Sequence, residues 1–192
     1  TALYAAGADN AQSKLPDGFI AGVLRHAPAL TAIPNQWENT YTPLVKGFEP
    51  PIYTFWARNN QSALVRVPTV KRGKASSTRI EYRAPDSACN PYLAFSVLLA
   101  AGLTGIENNY ELPAEVSNNI FEMTTAERKA MGVGRLPATL DHALDAMETS
   151  ELMADALGEH VFSWFLRNKR KEWDRFQHHV SEFELERYLP IL

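Results

Sequence analysis

The sequence is poor in cysteine, with Cys89 alone among 192 residues. One thiol forms no intrachain disulfide and supplies no thiolate cage for a metal, which excludes a disulfide scaffold and a structural zinc cluster. Because this usage is typical of a reducing compartment, we expect a cytoplasmic protein. Long apolar runs are also lacking. The longest one, at 92–106, is interrupted by polar and small residues and falls short of the roughly 20 residues that a membrane span needs. We therefore expect no membrane association.

Neither sign of charge is in large excess, since 19 basic residues face 22 acidic ones and the net charge is −3. Nothing in this balance favours binding to nucleic acid or to anionic lipid. The basic run at 167–171 is followed by Glu172 and Asp174, which favours a solvated or subunit-facing surface over a nucleic-acid site. The sequence also lacks a glycine-rich phosphate loop and a G-x-S-x-G motif. We expect no nucleic-acid partner.

The residues that are present, 45% of them hydrophobic and 21% charged, fit one compact domain. Apolar residues at helical spacing after Pro16 predict a helix that ends near Pro28. Turn formers between residues 32 and 47 predict an irregular connection. Segments rich in β-branched and aromatic residues predict strands at 52–58, 63–67 and 78–84. We expect these strands to be antiparallel neighbours.

The second half of the chain is predicted to be helical. Asn90 can cap, and Pro91 can begin, a helix over 92–103 that is apolar almost all round and is therefore expected to be buried, with Gly105 as its stop. Further helices are predicted at 140–147 and 151–176, and after the capping-box residues Thr124 and Ser181. The predicted fold class is α+β, with antiparallel strands followed by a helical C-terminal half.

Strand alternation at 78–84 places Arg79, Glu81 and Arg83 on one face. A carboxylate flanked by two guanidinium groups suits binding of an anion together with Mg²⁺ or Mn²⁺. A solvated face with cross-strand ion pairs is the alternative, and spacing alone leaves both open. Arg66, which lies among apolar neighbours on the preceding strand, is either an edge residue or a half-buried anion ligand.

Three segments carry a specific combination of residues: S-A-L-V-R-V-P at 62–68, S-T-R-I-E-Y-R at 77–83 and P-D-S-A-C-N-P-Y-L at 85–93. Together they resemble the C-terminal part of the catalytic domain of type I glutamine synthetases, and the similarity covers nearly the whole chain. The resemblance implies that residues 1–192 are the C-terminal portion of such a domain. Its helix, flap loop and strands would lie at 15–84 and its mainly helical region at 90–192. The family's N-terminal β-grasp domain would lie upstream and is absent here.

The resemblance implies an ATP-dependent ligase that forms a γ-glutamyl amide from glutamate and ammonia, or an amine, through γ-glutamyl phosphate. ATP and Mg²⁺ (or Mn²⁺) are the implied cofactors. By resemblance Glu81 is a metal ligand, and Arg83 binds the carboxylate of the substrate glutamate. Arg66 and Arg79 act on ATP and the phosphoryl group. Glu49 matches the catalytic flap glutamate that shields the intermediate and takes a proton from ammonium.

Two positions depart from the family pattern. Pro43 and Gln61 stand where the family places arginines that grip glutamate and contact phosphate. Each change removes a cationic fork that is typically worth about 1.5–3 kcal/mol. These departures motivate an alternative, in which the protein is a catalytically weak or inactive paralogue acting as a structural or regulatory subunit of a synthetase-like oligomer. Phe121 occupies the place of the tyrosine that is adenylylated in some members, so that control is expected to be absent.

The resemblance also implies partners. Family members form dodecamers of two hexameric rings, and their sites combine N-terminal and C-terminal parts of neighbouring subunits. Glu81 alone cannot hold two or three metals, and the family's other metal carboxylates lie upstream. We therefore expect a homo-oligomer, or a partner chain that supplies the N-terminal half. An oligomerising module without activity of its own is a third interpretation.

Overall fold

The structure is a computed structural model that describes residues 14–41, 51–69 and 79–192. The elements in chain order are α1 (Lys14–Leu30), α2 (Glu38–Tyr41), β1 (Tyr53–Thr54), β2 (Trp56–Ala57), β3 (Val65–Arg66), β4 (Glu81–Tyr82), α3 (Pro91–Glu107), α4 (Thr125–Ala130), β5 (Gly134–Arg135), α5 (Leu140–Glu148), α6 (Glu151–Gln177) and α7 (Glu182–Tyr188), followed by the 3₁₀ turn Leu189–Ile191. This mixture of helices and small sheets confirms the α+β class. Within the described ranges, every helix is too short or too polar to cross a membrane.

The strands are short and form two small sheets. β2, β3 and β4 lie side by side in that order, and β1 pairs with β5 in an antiparallel ribbon. β3 and β4 are antiparallel, but β2 and β3 are parallel, so the expectation of antiparallel neighbours is wrong for that pair. The cause lies in the loop between them. Asn60 accepts hydrogen bonds from the N–H groups of Ser62 and Ala63, and the chain then returns to the carbonyl of Phe55 instead of closing a hairpin.

The core is built on the close packing of α1 against α3. A Cβ on Gly22 would lie 2.1 Å from the carbonyl oxygen of Ala101, and one on Gly105 would lie 2.1 Å from that of Gly18. Both glycines therefore allow the two helix backbones to touch. Gly105 serves this contact and does not end α3, which continues to Glu107, so the predicted stop is wrong.

The two long helices α1 and α3 both extend past the residues that were predicted to end them. α1 continues two residues past Pro28, so the predicted end there is early. α3 begins as predicted, because the side chain of Asn90 accepts hydrogen bonds from the N–H groups of Tyr92 and Leu93, and Pro91 occupies the first position. The pattern thus identifies the start of α3 to the residue.

The predicted burial of α3 on all sides is wrong. One face, which includes Val97 and Ala101, is fully buried against the core. The opposite face leaves four large apolar side chains exposed, namely Tyr92, Phe95, Leu99 and Leu103. We call these four residues the α3 stripe. The described part of the chain therefore covers only one side of this apolar helix.

The helical half forms largely as predicted. Both capping boxes are present, and in each a hydroxyl and a carboxylate satisfy backbone N–H groups at Thr124–Glu127 and Ser181–Glu184. The predicted long helix is interrupted at Gly158, whose φ of 72° lies in the left-handed region. At such a φ a side chain is strained, so glycine permits a bend within α6 at this point.

The basic run on α6 makes contacts within the chain. Arg170 Nη1 bonds to the carboxylate of Asp141, and its Nη2 bonds to Asp145 at 2.5 Å and to Glu148 at 3.0 Å. Arg170, whose side chain is 32% exposed, thus belongs to a partly solvated surface and makes its ion pairs within the chain. Three carboxylates along α5 hold this guanidinium and fix α6 against α5.

The connection after α1 is tied to both halves of the chain. The carboxylate of Glu38 accepts a hydrogen bond from the N–H of Leu140, at the start of α5, over 3.0 Å. A negative charge there is favourable because the N-terminus of a helix carries partial positive charge. Thr40 donates its hydroxyl to the carboxylate of Asp86 at 2.9 Å. This part of the predicted irregular connection is thus ordered, and it includes the short helix α2.

The contact between α1 and α3 predicts an unusual response to alanine. In most helices Gly→Ala is stabilising by about 1 kcal/mol, but we expect Gly22→Ala to lower the free energy of unfolding by about 1–3 kcal/mol, because its Cβ overlaps a backbone atom. Urea unfolding followed by circular dichroism measures the difference. Gly18→Ala is the matched control, since its Cβ would lie 3.1 Å from the nearest atom, and it should cost less. Equal or greater stability of Gly22→Ala would show that the helices can separate freely.

Candidate active site

The register of the three-stranded sheet places the predicted site residues. Ala57, Arg66 and Glu81 lie directly opposite one another across β2, β3 and β4. Since opposite residues point to the same face, these three side chains share one side of the sheet. Val65 and Tyr82 occupy the next rung and pack on the core side. One sheet face is therefore charged while the other is apolar.

Glu81 is the centre of an ion-pair cluster. Its Oε2 accepts a hydrogen bond from Arg66 Nε at 2.7 Å and lies 2.5 Å from Arg66 Nη2. Its Oε1 accepts from Arg79 Nε at 2.7 Å. The Glu81 side chain is 24% exposed and that of Arg79 is 59% exposed, so the cluster faces outward. The ion pairs predicted as the structural alternative are present, and Arg66 is half-buried.

The cluster changes the acidity of Glu81. Burial raises the pKa of this carboxyl, but the hydrogen bonds and charges of Arg66 and Arg79 outweigh burial, and the pKa lies below its ordinary value. Glu81 is therefore ionised at neutral pH. As a carboxylate it partly neutralises the two guanidinium groups that flank it.

Arg83 continues the same strand but differs from the two clustered arginines. Its N–H donates to the carbonyl of Leu64 at 2.9 Å, which extends the ladder, and by alternation its side chain leaves on the side of Glu81. Its Nη1 atom is buried, with no hydrogen-bond partner among the residues that the structure describes. A buried donor of this kind requires an acceptor from elsewhere.

The described residues do not by themselves fit a metal ion. Both oxygens of Glu81 are taken by guanidinium groups. No group of three or more histidine, cysteine, aspartate or glutamate side chains comes together within 14–41, 51–69 and 79–192. Mg²⁺ demands about six oxygen ligands, so a metal would need other carboxylates and would have to displace an arginine from Glu81.

A cavity of about 630 Å³ lies between the loop after β2 and residues 115–121. Its wall includes Ala57, the ladder neighbour of Arg66, and Gln61, one of the two departures from the family pattern. Other lining groups are polar, among them Asn59, Asn60, Ser62, Glu115, Ser117 and Asn119. The cavity therefore contains none of the four charged residues Arg66, Arg79, Glu81 and Arg83, and its wall combines uncharged amides and hydroxyls with Ala57 and Phe121.

The wall formed by residues 115–119 was not predicted as part of a site. Arg58 and Glu115 form an ion pair of 2.5 Å, and the amide of Asn60 donates to the carbonyl of Asn118 at 3.1 Å. These long-range contacts join two segments that show no shared pattern in the sequence. Glu49, the predicted catalytic flap residue, lies outside the described residues, as does Pro43.

Comparisons with known proteins agree with this architecture. The family described as "Glutamine synthetase, catalytic domain" matches residues 1–188. Glutamine synthetase of Mycobacterium tuberculosis (strain H37Rv) is 54% identical over 179 residues, covering 93% of this chain and 40% of that protein. The Methanococcus maripaludis enzyme is 46% identical over 186 residues, covering 95% and 41%.

Solved structures also match nearly the whole chain in fold. Ligand-free GmaS has a TM-score of 0.79 at 30% identity, covering 97% of this chain and 41% of GmaS. A GmaS complex with ADP has a TM-score of 0.79 at 29% identity, covering 98% and 42%. The fold and the sequence both define a glutamine synthetase-like catalytic domain.

The chain belongs to the glutamine synthetase family, which confirms the resemblance described above. It spans about 40% of the length of the curated relatives that it matches. The ion-pair cluster and Arg83 thus lie within the region that matches the family's catalytic domain.

The lowered pKa of Glu81 predicts a pH-dependent effect on stability. Its folded-state pKa lies below the ordinary value of 4.5, so its contribution is present above pH 4.5 and is lost as the pH falls through the folded pKa. We expect Glu81→Gln to lower the free energy of unfolding by about 1 kcal/mol at pH 7, a modest figure because the pair is partly exposed. The deficit should shrink towards pH 3.

Urea titrations at several pH values measure this deficit. Glu159→Gln removes an exposed carboxylate that forms no ion pair within the described part of the chain, and it should leave the pH profile unchanged. A deficit for Glu81→Gln that is constant from pH 7 to pH 3 would contradict the assigned ion pairs.

Proposed function

We propose that this chain supplies the C-terminal part of the active site of an ATP-dependent ligase that forms a γ-glutamyl amide from glutamate and ammonia, or an amine, through γ-glutamyl phosphate. The observation that carries the proposal is the strand face on which Arg66, Glu81 and Arg79 form one cluster, with Arg83 alongside. Membership of the glutamine synthetase family supports this reaction class. The ADP complex of the similar GmaS supports a nucleotide.

Arg66 and Arg79 act on ATP and the transferred phosphoryl group in this proposal. A guanidinium has five N–H donors, and Arg79 uses only Nε on Glu81. Donors therefore remain for phosphate oxygens, which guanidinium groups bind in forked, charge-assisted hydrogen bonds. These guanidinium groups would stabilise the developing negative charge on the phosphoryl group, and one of them would leave Glu81 when a metal ion takes that carboxylate oxygen.

Arg83 binds the carboxylate of the substrate glutamate. Its buried Nη1 lacks an acceptor among the described residues, and an unsatisfied buried donor costs about 1–3 kcal/mol. A carboxylate would supply that acceptor. Binding would then hold the γ-carboxyl of glutamate in a fixed relation to the arginines of the cluster.

Glu49 acts as the catalytic base that takes a proton from ammonium. The nearest described residues on either side of it, Tyr41 and Pro51, are both buried. Mg²⁺ or Mn²⁺ belongs to the complete site, with Glu81 as one ligand. Because the described residues do not complete a metal site, the further ligands must come from polypeptide outside them.

The rest of the site comes from outside this chain's matched region. The chain spans about 40% of its relatives, so the other part is supplied by the same protein, by further copies in a homo-oligomer of two hexameric rings, or by a partner chain. The enzyme acts in the cytoplasm on small-molecule substrates. Its acceptor is ammonia or an amine.

A catalytically weak or regulatory paralogue is the second candidate. One observation favours it: Gln61 is an uncharged residue in the wall of the cavity that Ala57, the ladder neighbour of Arg66, also lines. An uncharged side chain therefore occupies the position where the family pattern has a cation. Loss of that cation would weaken binding of phosphate or glutamate.

Substitution of Arg83 tests the proposed binding of glutamate. In an assembled enzyme containing this chain, supplied with ATP, Mg²⁺ and ammonia or a panel of amines, we expect Arg83→Gln to raise the KM for glutamate about 10- to 100-fold, the loss of one charge-assisted fork. Phosphate release against glutamate concentration measures it. Arg135→Gln, on the exposed strand β5, is the control and should leave KM unchanged. Absence of phosphate release with every acceptor would refute the ligase.

Restoring the family arginines separates the two candidates. If Pro43 and Gln61 have disabled the site, the double variant Pro43→Arg/Gln61→Arg should increase phosphate release or lower the KM for glutamate by at least 10-fold. Gln36→Arg, a half-buried glutamine outside the cavity, controls for added charge. No gain in the double variant would count against the paralogue interpretation based on these two residues.

A further inference from the structure

The chain directly after Arg83 is tied to the segment around α2 by hydrogen bonds that the proposed reaction does not use. The N–H of Asp86 donates to the carbonyl of Pro34 at 3.0 Å. The side-chain amide of Gln36 donates to the carbonyl of Ala88, 52 residues away in the sequence, at 2.8 Å. Two segments that are distant in the chain are therefore fastened side by side.

Asp86 is the centre of this connection. Its Oδ1 accepts a hydrogen bond from the N–H of Ala88 at 2.8 Å, and its Oδ2 accepts from the hydroxyl of Thr40 at 2.9 Å. The bond to Ala88 is local and shapes the turn before α3. The bond to Thr40 spans 46 residues and joins two side chains that are both half-buried. Water therefore competes for this bond less than it would at an open surface.

Arg83 lies between two fixed points of the backbone. Its N–H is held by the carbonyl of Leu64 in the ladder, and Asp86 is held three residues further on. Between these points Ala84 is buried in the core, and the ring of Pro85 fixes its own φ. The backbone from which the Arg83 side chain departs therefore has little freedom as long as Asp86 is anchored.

We propose that Thr40 and Asp86 position Arg83 for the substrate glutamate without touching the substrate themselves. The buried Nη1 of Arg83 has no acceptor among the described residues, so a shift of its backbone would displace the donor that the substrate carboxylate must reach. Charge-assisted forks depend on geometry, and a misplacement of about 1 Å is costly at such a contact. This inference rests on the proposed binding of glutamate by Arg83.

Removal of the Thr40 hydroxyl tests the proposal in the assembled enzyme that contains this chain. We expect Thr40→Val to raise the KM for glutamate about 5- to 10-fold, the loss of one hydrogen bond, and to leave the KM for ATP unchanged. Thr40→Ser keeps the hydroxyl and should restore the native KM. A merely structural role would reduce the amount of folded enzyme, and hence the maximal rate, at unchanged KM. Thr149→Val removes a hydroxyl that bonds to the carbonyl of Asp145 on α5 and is the matched control.

A double-mutant cycle shows whether Thr40 acts through Arg83. In an Arg83→Gln background, the further change Thr40→Val should alter the KM for glutamate less than about 2-fold. An equal increase in both backgrounds would overturn the proposal. An unchanged KM for glutamate in Thr40→Val alone, or a parallel rise in both KM values, would overturn it too. Asp86→Ala removes the other half of the bond and repeats the test if Thr40→Val disturbs folding, which thermal unfolding reports.

Equilibrium dialysis with radiolabelled glutamate separates this inference from the proposed reaction. If the enzyme binds glutamate but releases no phosphate with any acceptor, and Thr40→Val weakens that binding about 5- to 10-fold, the ligase is refuted and the positioning role is supported. Phosphate release that depends on Arg83 but is unaffected by Thr40→Val would overturn the positioning role alone. Absence of both binding and turnover would refute both.

Discussion

Arg66 and Glu81 face each other across β3 and β4, and this register determines the chemistry of both sheet faces. A slip by one residue would turn every side chain of β4 to the opposite face. Glu81 would then enter the core beside Val65, and Tyr82 would stand among the arginines. Because an unpaired carboxylate is costly to bury, the apolar core on one side specifies the charged site on the other. The same strand register therefore determines both the apolar packing and the charged face of this sheet.

The charged face is organised by its one carboxylate. Glu81 receives hydrogen bonds from Arg66 and Arg79, which brings together two guanidinium groups that would otherwise repel each other. With Arg83 the face has three positive charges against one negative charge, so it retains an excess of two. In the proposed reaction a phosphate would meet arginines already held in place, so less side-chain ordering would be required on binding. The lowered pKa of Glu81 keeps this arrangement intact through the physiological range.

Local patterns predicted much of this structure, and long-range contacts explain the remainder. Strand alternation predicted that Glu81 lies between arginines, and the capping residues Asn90, Thr124 and Ser181 predicted where helices start. Strand alternation and helix capping both depend on residues only a few positions apart. The parallel pairing of β2 with β3 depends on how one loop returns to Phe55, and the cavity wall depends on the pairing of Arg58 with Glu115. No spacing rule within a single segment encodes such contacts. Gly105 was misread because a glycine at a helix stop and one at a helix crossing look alike in sequence.

The exposed side of α3 is a further feature that local sequence patterns did not predict. Hydrophobicity along a helix records all the surfaces that are covered in the assembled protein, whichever polypeptide covers them. α1 accounts for one side through Gly22 and Gly105, and the stripe from Tyr92 to Leu103 remains.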